Sequence, residues 1–271
     1  MNASAQPISE IIKKRHSVRS YENGTLPEEA RERLQAYLDE INHSKGPFGG
    51  KVRISLIQRN DTNKEIKLGT YGVIKGATNF LTVACKKNDD ALVDLGFLFE
   101  KVILFCTALG LGTVWMGGTF SKGNFAKAMQ LKEDELLPIV SPVGVEGAGK
   151  SFIATMIAKS NLSRRNDFSQ LFFNGNFNTP LTYEAAGEYG DVLEMVRLAP
   201  SALNKQPWRI LKQENKYHFY SVGNHDVNKI DLGIGLCHFY LSAMEKGLKG
   251  EIKVLSLKSD GRYKYVASWV E

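Results

Sequence analysis

Cysteine is scarce in this 271-residue chain: Cys85, Cys106 and Cys237 are the three, and no two form a CxxC. Each sits in an apolar run, so buried free thiols in a reducing compartment are expected and a zinc or disulfide framework is not. No apolar stretch approaches the ~20 residues of a membrane span, because Glu100, Lys101 and several glycines interrupt the longest ones. The start, MNASAQPISEIIKKRHS, lacks the basic-then-apolar order of a signal peptide, which points to the cytoplasm. Basic stripes are missing too. Lys+Arg exceed Asp+Glu by 35 to 29, but the basic pairs at 13–14, 86–87 and 164–165 are scattered, so no nucleic-acid partner is expected. What is present is ordinary for a globular protein, 43% hydrophobic and 10% aromatic, with enough chain for one large domain or two modest ones sharing a core.

The order of elements repeats. Thr25-Leu26-Pro27-Glu28 reads as a capping box before a helix with Leu34, Tyr37, Leu38 and Ile41 on one face. Val192, Met195, Val196 and Ala199 repeat that face 158 residues later. A buried strand at 80–85 has a counterpart at 217–222, and helices opened by Asp94-Leu95-Gly96 and Asp231-Leu232-Gly233 end near Gly110 and Gly247, all 137 apart. The strand at 139–143 matches 266–270, an offset of 127. Residues around 58–79 and the helix around 121–130 have no second copy. Such tandem halves suggest a fused dimer with a pseudo-twofold axis.

Three segments carry candidate chemistry. Arg15-His16-Ser17-Val18-Arg19 puts two guanidiniums and a hydroxyl on a loop, a set suited to a phosphate, although loop arginines are usually just solvated. Pro200-Ser201-Ala202-Leu203-Asn204-Lys205-Gln206-Pro207-Trp208 fixes a loop between two prolines and lines it with uncharged donors and acceptors, as a polyol or heterocycle edge requires. A helix stop with Asx turns explains its Pro and Ser but poorly explains Asn-x-Gln-Pro-Trp. The run from Leu109 to Thr119 passes from helix to strand to Gly117-Gly118, where backbone can approach a flat ligand. Its helix-to-strand order is opposite to a dinucleotide fingerprint, and no GxxxxGK[ST] occurs.

Together RHSVRSY, LGLGTVWMGG and APSALNKQPW resemble the FMN-dependent nitroreductase family over most of residues 8–210, with the single-chain TM1586-like type as the nearest likeness. The resemblance implies an α+β fold, nitroreductase-like and three-layer α/β/α, built as two tandem half-repeats, 1–155 and a degenerate 156–271. These would form a pseudo-twofold fused dimer around one flavin. It implies that Arg15, His16, Ser17 and Arg19 surround the phosphate, helped by Arg164 or Arg165. Pro200, Ser201, Asn204 and Gln206 would meet the ring edge, Gly117, Gly118 and Thr119 would run along the isoalloxazine, and Thr70, Tyr71 and Gly72 would touch the ring. It further implies hydride passing from NADH or NADPH through FMN to a nitroaromatic, quinone or related small molecule, with no metal and no catalytic side chain. A flavin-binding sensor or store is the alternative. His16, His43, His218, His225 and His238 show no base-and-orienter pair in sequence, and His238 reads as a satisfied core residue.

The departures from the family pattern are informative. Ile41–Phe48 holds the place of the polar loop in the first half without its Ser-x-x-Asn-x-Gln, and Arg164–Ser169 holds the place of the arginine loop in the second half without its Arg-x-Ser-x-Arg. One complete set remains, shared between the halves, so one FMN per monomeric chain is expected.

Overall fold

The computed structural model describes residues 6–59, 67–149, 164–259 and 261–271; the boundary expected at 155/156 lies outside them. At the centre are two 20-residue helices, α3 (Asp89–Ala108) and, numbering helices in chain order, α7 (Asp226–Glu245). Both are apolar nearly all round, as a helix enclosed on every side must be. Each starts five residues before the Asp-Leu-Gly expected to open it. Asn88 caps α3 instead, its side chain accepting the Ala91 amide at 2.8 Å, and Asp94 and Asp231 lie inside the helices with their carboxylates turned to loop amides. Both helices end alike: Gly110 and Gly247 take φ of 76° and 72°, and the Leu111 and Leu248 amides return to the Cys106 and Ala243 carbonyls.

The helices cross at Gly96 and Gly233. A Cβ on Gly96 would overlap the Ile230 carbonyl and stand 3.0 Å from Gly233 Cα; one on Gly233 would overlap the Val93 carbonyl and stand 2.9 Å from Gly96 Cα. Val93 therefore plays towards α7 the part that Ile230 plays towards α3, the reciprocity of a twofold contact.

A sheet lies outside each helix. The first contains β1 (Val52–Gln58), β2 (Asn79–Lys86), β3 (Gly112–Thr113) and β4 (Glu135–Gly144) in the order β1-β2-β4-β3. The second contains β5 (Phe172–Asn174), β6 (Trp208–Gln213), β7 (Lys216–Ser221), β8 (Glu251–Lys253) and β9 (Lys264–Val270) in the order β5-β6-β7-β9-β8. Apart from β5, which pairs parallel to β6, the two orders correspond strand for strand, all antiparallel.

Register corrects the sequence alignment of the halves by one residue. Ile54, Val83 and Ile139 stand side by side facing the helices, as do Ile210, Phe219 and Ala267, which makes the strand offsets 156, 136 and 128. An offset of 137 would match Val83 with Tyr220, which faces away from the helices; a one-residue slip inverts every side chain of a strand. Five residues separate Val83 from Asp89 at the start of α3 and six separate Phe219 from Asp226 at the start of α7, and this one extra residue restores the 137 offset in the helices.

The first sheet lies between two helical layers: α2 (Glu28–His43) and α3 inside, and α4 (Lys122–Ala128) outside, where Phe125 packs on Phe80. The second sheet has α6 (Gly190–Arg197) and α7 inside. Its outer face carries Phe173, Leu211 and Tyr220 with Phe177, Tyr263 and Tyr265 in place of a helix. The short helix α5 (Phe168–Leu171) leads into β5. Helix α1 (Ile8–Lys14) ties the halves together, because Ile8, Ile11 and Ile12 pack on Leu104 and Met195. The expected capping box does not form. Gly24 O is held by Thr78 and Asn79 and Leu26 is drawn into the core, so α2 begins after Pro27 with no side-chain cap. Among the described residues no helix is long and apolar enough to cross a membrane.

Candidate functional site

Backbone bonds gather three distant segments of the first half into one surface. Val18 N donates to Thr113 O at 2.9 Å, laying Ser17 beside β3. Lys75 N donates to Arg19 O at 3.0 Å, and Ser121 N and Gly69 O pair at 2.9 Å. Thr70–Gly72 therefore lies between the arginine loop and the segment that follows Gly117–Thr119. Thr70 is buried, while Tyr71 is 71% exposed with a left-handed φ of 47°. Gly118 has no atom within 4 Å of where its Cβ would be, and the nearest to that of Gly117 is Ile139 Cδ1 at 3.4 Å. Neither has positive φ. Protein packing does not demand glycine here, and the segment is open to something flat.

The polar loop after α6 is held rigidly. Ala202 N donates to both oxygens of Asp231 at 3.1 Å, and Gln206 N donates to Ser201 Oγ at 2.9 Å. Gln206 is fully buried; its Oε1 accepts from Asn166 N at 3.0 Å and its Nε2 donates to Asn204 O at 2.9 Å. Asn204 Oδ1 accepts from Arg165 at 2.7 Å and its Nδ2 donates to Arg164 O at 2.8 Å. Leu203, Asn204 and Gln206 all take left-handed φ, 52°, 54° and 47°. Strain of this kind persists only where surrounding bonds over-determine it. The loop expected to offer Asn and Gln to a ligand spends most of those groups on its own shape. Gln206 is a brace, whereas Pro200 and Ser201 are half-buried and Leu203 stands 68% exposed at the tip.

Arg165 donates to the Leu198 and Ala199 carbonyls at 2.8 and 2.6 Å, the last peptide groups of α6 and its continuation. Burial lowers its pKa to about 10, with further lowering from Arg15 and Arg197. Arg15, from the other half, is also lowered by burial, with Glu100 opposing. Its Nε is buried with no hydrogen-bond partner among the described residues. Two guanidiniums from opposite halves thus repel each other, and an anion between them would reverse the sign of that interaction. Arg19 is half-buried and likewise lowered by burial. Ser17 is exposed, and exposed His16 lies 2.9 Å from Glu146 through Nε2. Arg164 is exposed and takes part through its carbonyl.

At the pseudo-equivalent place the first-half loop is closed down. Phe48 and Gly50 amides donate to Asp94 at 2.8 and 2.6 Å, and Gly49 N turns back to Gly46 O at 2.9 Å. Asp167 caps α5. Sequence reasoning did not assign Asp94 and Asp231 as loop anchors, nor Glu100. Their signal was available: acids repeated at 137 residues, and one acid midway along an apolar helix.

The family model described as "Putative TM nitroreductase" matches residues 7–243. The chain belongs to this nitroreductase family. Among solved structures it is similar to a putative nitroreductase of Thermotoga maritima MSB8, at 22% identity and TM-score 0.65, covering 100% of this chain and 96% of that one. This likeness carries the fold of the nitroreductase across the whole length. Shorter similarities are to a nitroreductase with bound FMN from Desulfitobacterium hafniense DCB-2 (19% identity, 54% of this chain, 92% of that chain, TM-score 0.44) and to a nitroreductase family protein of Clostridium difficile 630 (19%, 53%, 86%, 0.41). No curated protein matches the chain.

Proposed function

We propose that this nitroreductase family member binds one FMN between its halves and works as an oxidoreductase, taking hydride from NADH or NADPH and passing it to a nitroaromatic, quinone or related small acceptor. The observation that carries the reading is the Arg15 Nε, buried with no hydrogen-bond partner among the described residues, with the Arg165 charge acting on Arg15 from the other half. The residues fit a phosphomonoester: Arg15, Ser17 and Arg19 supply donors, and Arg165, fixed on α6, adds field and its remaining N–H groups. Gly117-Gly118 leaves a flat face, with Thr70–Gly72 along one border. When bound, FMN supplies the two-electron chemistry. The chain binds, orients and excludes water, and no side chain is assigned a proton transfer.

The halves, 1–155 and 156–271, are read as a duplicated and fused dimer, so one chain provides both walls of the site and a monomer suffices. Purified protein with a flavin spectrum that NADH or NADPH bleaches, and that a nitro compound or quinone restores, meets the proposal. Flavin bound but never bleached makes the chain a flavin sensor or store instead. No flavin affinity at all refutes the assignment.

A further inference from the structure

Glu100 is fully buried near the middle of α3. Its Oε1 lies 2.9 Å from Nε2 of His238 on α7, and its Oε2 accepts the Trp115 indole N–H at 2.9 Å. The other ring nitrogen of His238, Nδ1, is 2.9 Å from Met195 O. A carbonyl can only accept, so Nδ1 carries a hydrogen. Nε2 then either donates as an imidazolium to the carboxylate or accepts from the carboxylic acid. In both arrangements one proton bridges the pair, the pair is neutral overall, and every bond is made, which is what makes burial of two ionisable groups tolerable.

These three bonds reach the segments that shape the site. Trp115 stands two residues before Gly117. Met195 lies on α6, whose end runs into the Ser201–Gln206 loop. His238 shares a face of α7 with Asp231, the anchor of that loop, two turns away.

The pseudo-twofold provides an internal control. The 137-residue correspondence pairs Glu100 with Cys237, His238 with Lys101 and Trp115 with Ile252. None of the polar partners survives there. Cys237 is fully buried, and the Lys101 amine lies over the rings of Phe97 and Tyr240, at 4.9 and 5.4 Å. The network exists only on the side with the open glycine strip and the anchored polar loop.

We propose that Glu100 and His238 are positioning residues for that site, a single-proton brace holding the Gly117–Thr119 strip and the Ser201–Gln206 loop in mutual register. Its expression in ligand affinity rests on the flavin reading above; its effect on the two segments does not. Glu100→Gln keeps an oxygen for Trp115 and an N–H for His238 Nε2, whereas Glu100→Ala removes both.

The test uses the full chain, at a temperature where melting shows each variant folded. In flavin-free protein, Glu100→Ala should shift the Trp115 indole N–H resonance and speed amide exchange at 117–119 and 202–206, and Glu100→Gln should restore both. With flavin, Glu100→Ala should weaken FMN and riboflavin alike, by roughly tenfold, the loss of about one charge-assisted hydrogen bond, while Glu100→Gln binds both within about threefold of wild type. A lower melting temperature with unchanged exchange and unchanged affinities makes the network a fold-stabilising contact only and overturns the proposal. If Glu100→Ala does not fold, Trp115→Phe takes its place, cutting one arm of the brace; unchanged exchange at 117–119 in that variant also overturns it. Wild-type protein that binds neither flavin refutes the flavin reading, and the flavin-free exchange data still decide the brace.

Discussion

Replacing Asp231 by Asn tests how the polar loop is held and at what energetic cost. The carboxylate accepts the Ala202 amide at 3.1 Å through both oxygens, yet burial pushes its pKa from 3.8 up to about 7, with the Ala202 bond and Lys205 pulling the other way. That rise, at about 1.4 kcal/mol for each pH interval of one, sets a ceiling of about 4 kcal/mol on the cost of keeping this group ionised in the fold. The sign follows from proton counts. Below about pH 4 folded and unfolded chains both hold the proton; between about 4 and 7 the folded chain holds it and the unfolded chain has released it. Wild-type stability therefore falls as pH rises through that window, and above pH 7 the full cost is present. Asn retains an acceptor for Ala202 N without the charge, so the variant should equal wild type near pH 4 and exceed it by about 1–3 kcal/mol at pH 8, after allowing for a weaker neutral bond. Asp94, also raised by burial, contributes equally to both proteins and cancels. Thermal melts of the pair from pH 4 to 9 measure this directly. A stability difference that does not vary with pH, or an Asn variant less stable at pH 8, refutes the argument.

Arg15→Ala should weaken FMN by about 1.5–3 kcal/mol and leave riboflavin, which lacks the phosphate, nearly unchanged; equal losses in a fluorescence titration would show that the phosphate role is wrong. Gly96→Ala should lower the melting temperature sharply, because its Cβ meets the Ile230 carbonyl at the helix crossing, an overpacking worth about 1–3 kcal/mol or more. Gly118→Ala, with no protein atom within 4 Å, should melt like wild type but bind FMN more weakly, and normal binding would mean that no ligand lies over the strip. Flavin extraction should give one FMN per 30.2 kDa chain; two would mean that the second position is intact.

Much of the fold is legible because the core imposes periodicity. The quartets Leu34, Tyr37, Leu38, Ile41 and Val192, Met195, Val196 are buried as their spacing predicts, and Ala199 lies buried just past the end of α6. Strand phase was less legible. Phe80 and Leu81 are both fully buried, on opposite faces of one sheet, so alternation that normally fixes phase is hidden. Helix starts were misplaced because an Asp before an apolar run looks like a first-turn residue, while Asp94 and Asp231 serve loop amides from inside their helices. Division of labour within the candidate segments is not legible in sequence: it shows that Asn204 and Gln206 are polar, and only the fold shows that their amides are spent on Arg164, Arg165 and Asn166.

We read the asymmetry between the halves as what leaves a single candidate site among the described residues, and it is built from separate differences that agree. Each half contributes an acid on its central helix to a loop, but Asp94 draws two amides of a tight glycine turn onto itself, while Asp231 takes one, at the start of the single turn Ala202–Asn204. The arginine loop lies in the first half, and Arg165, which donates to the carbonyls at the end of α6, lies in the second. Glu100, His238 and Trp115 are hydrogen-bonded on the same side, where their counterparts are a buried thiol, a lysine over two rings and an isoleucine. Any one of these could be drift in the duplicated scaffold proposed above. Among the described residues the polar loop, the arginine loop and the Glu100–His238–Trp115 bonds all stand at one position and not at its counterpart, which is what relaxed selection on one of two proposed sites would leave.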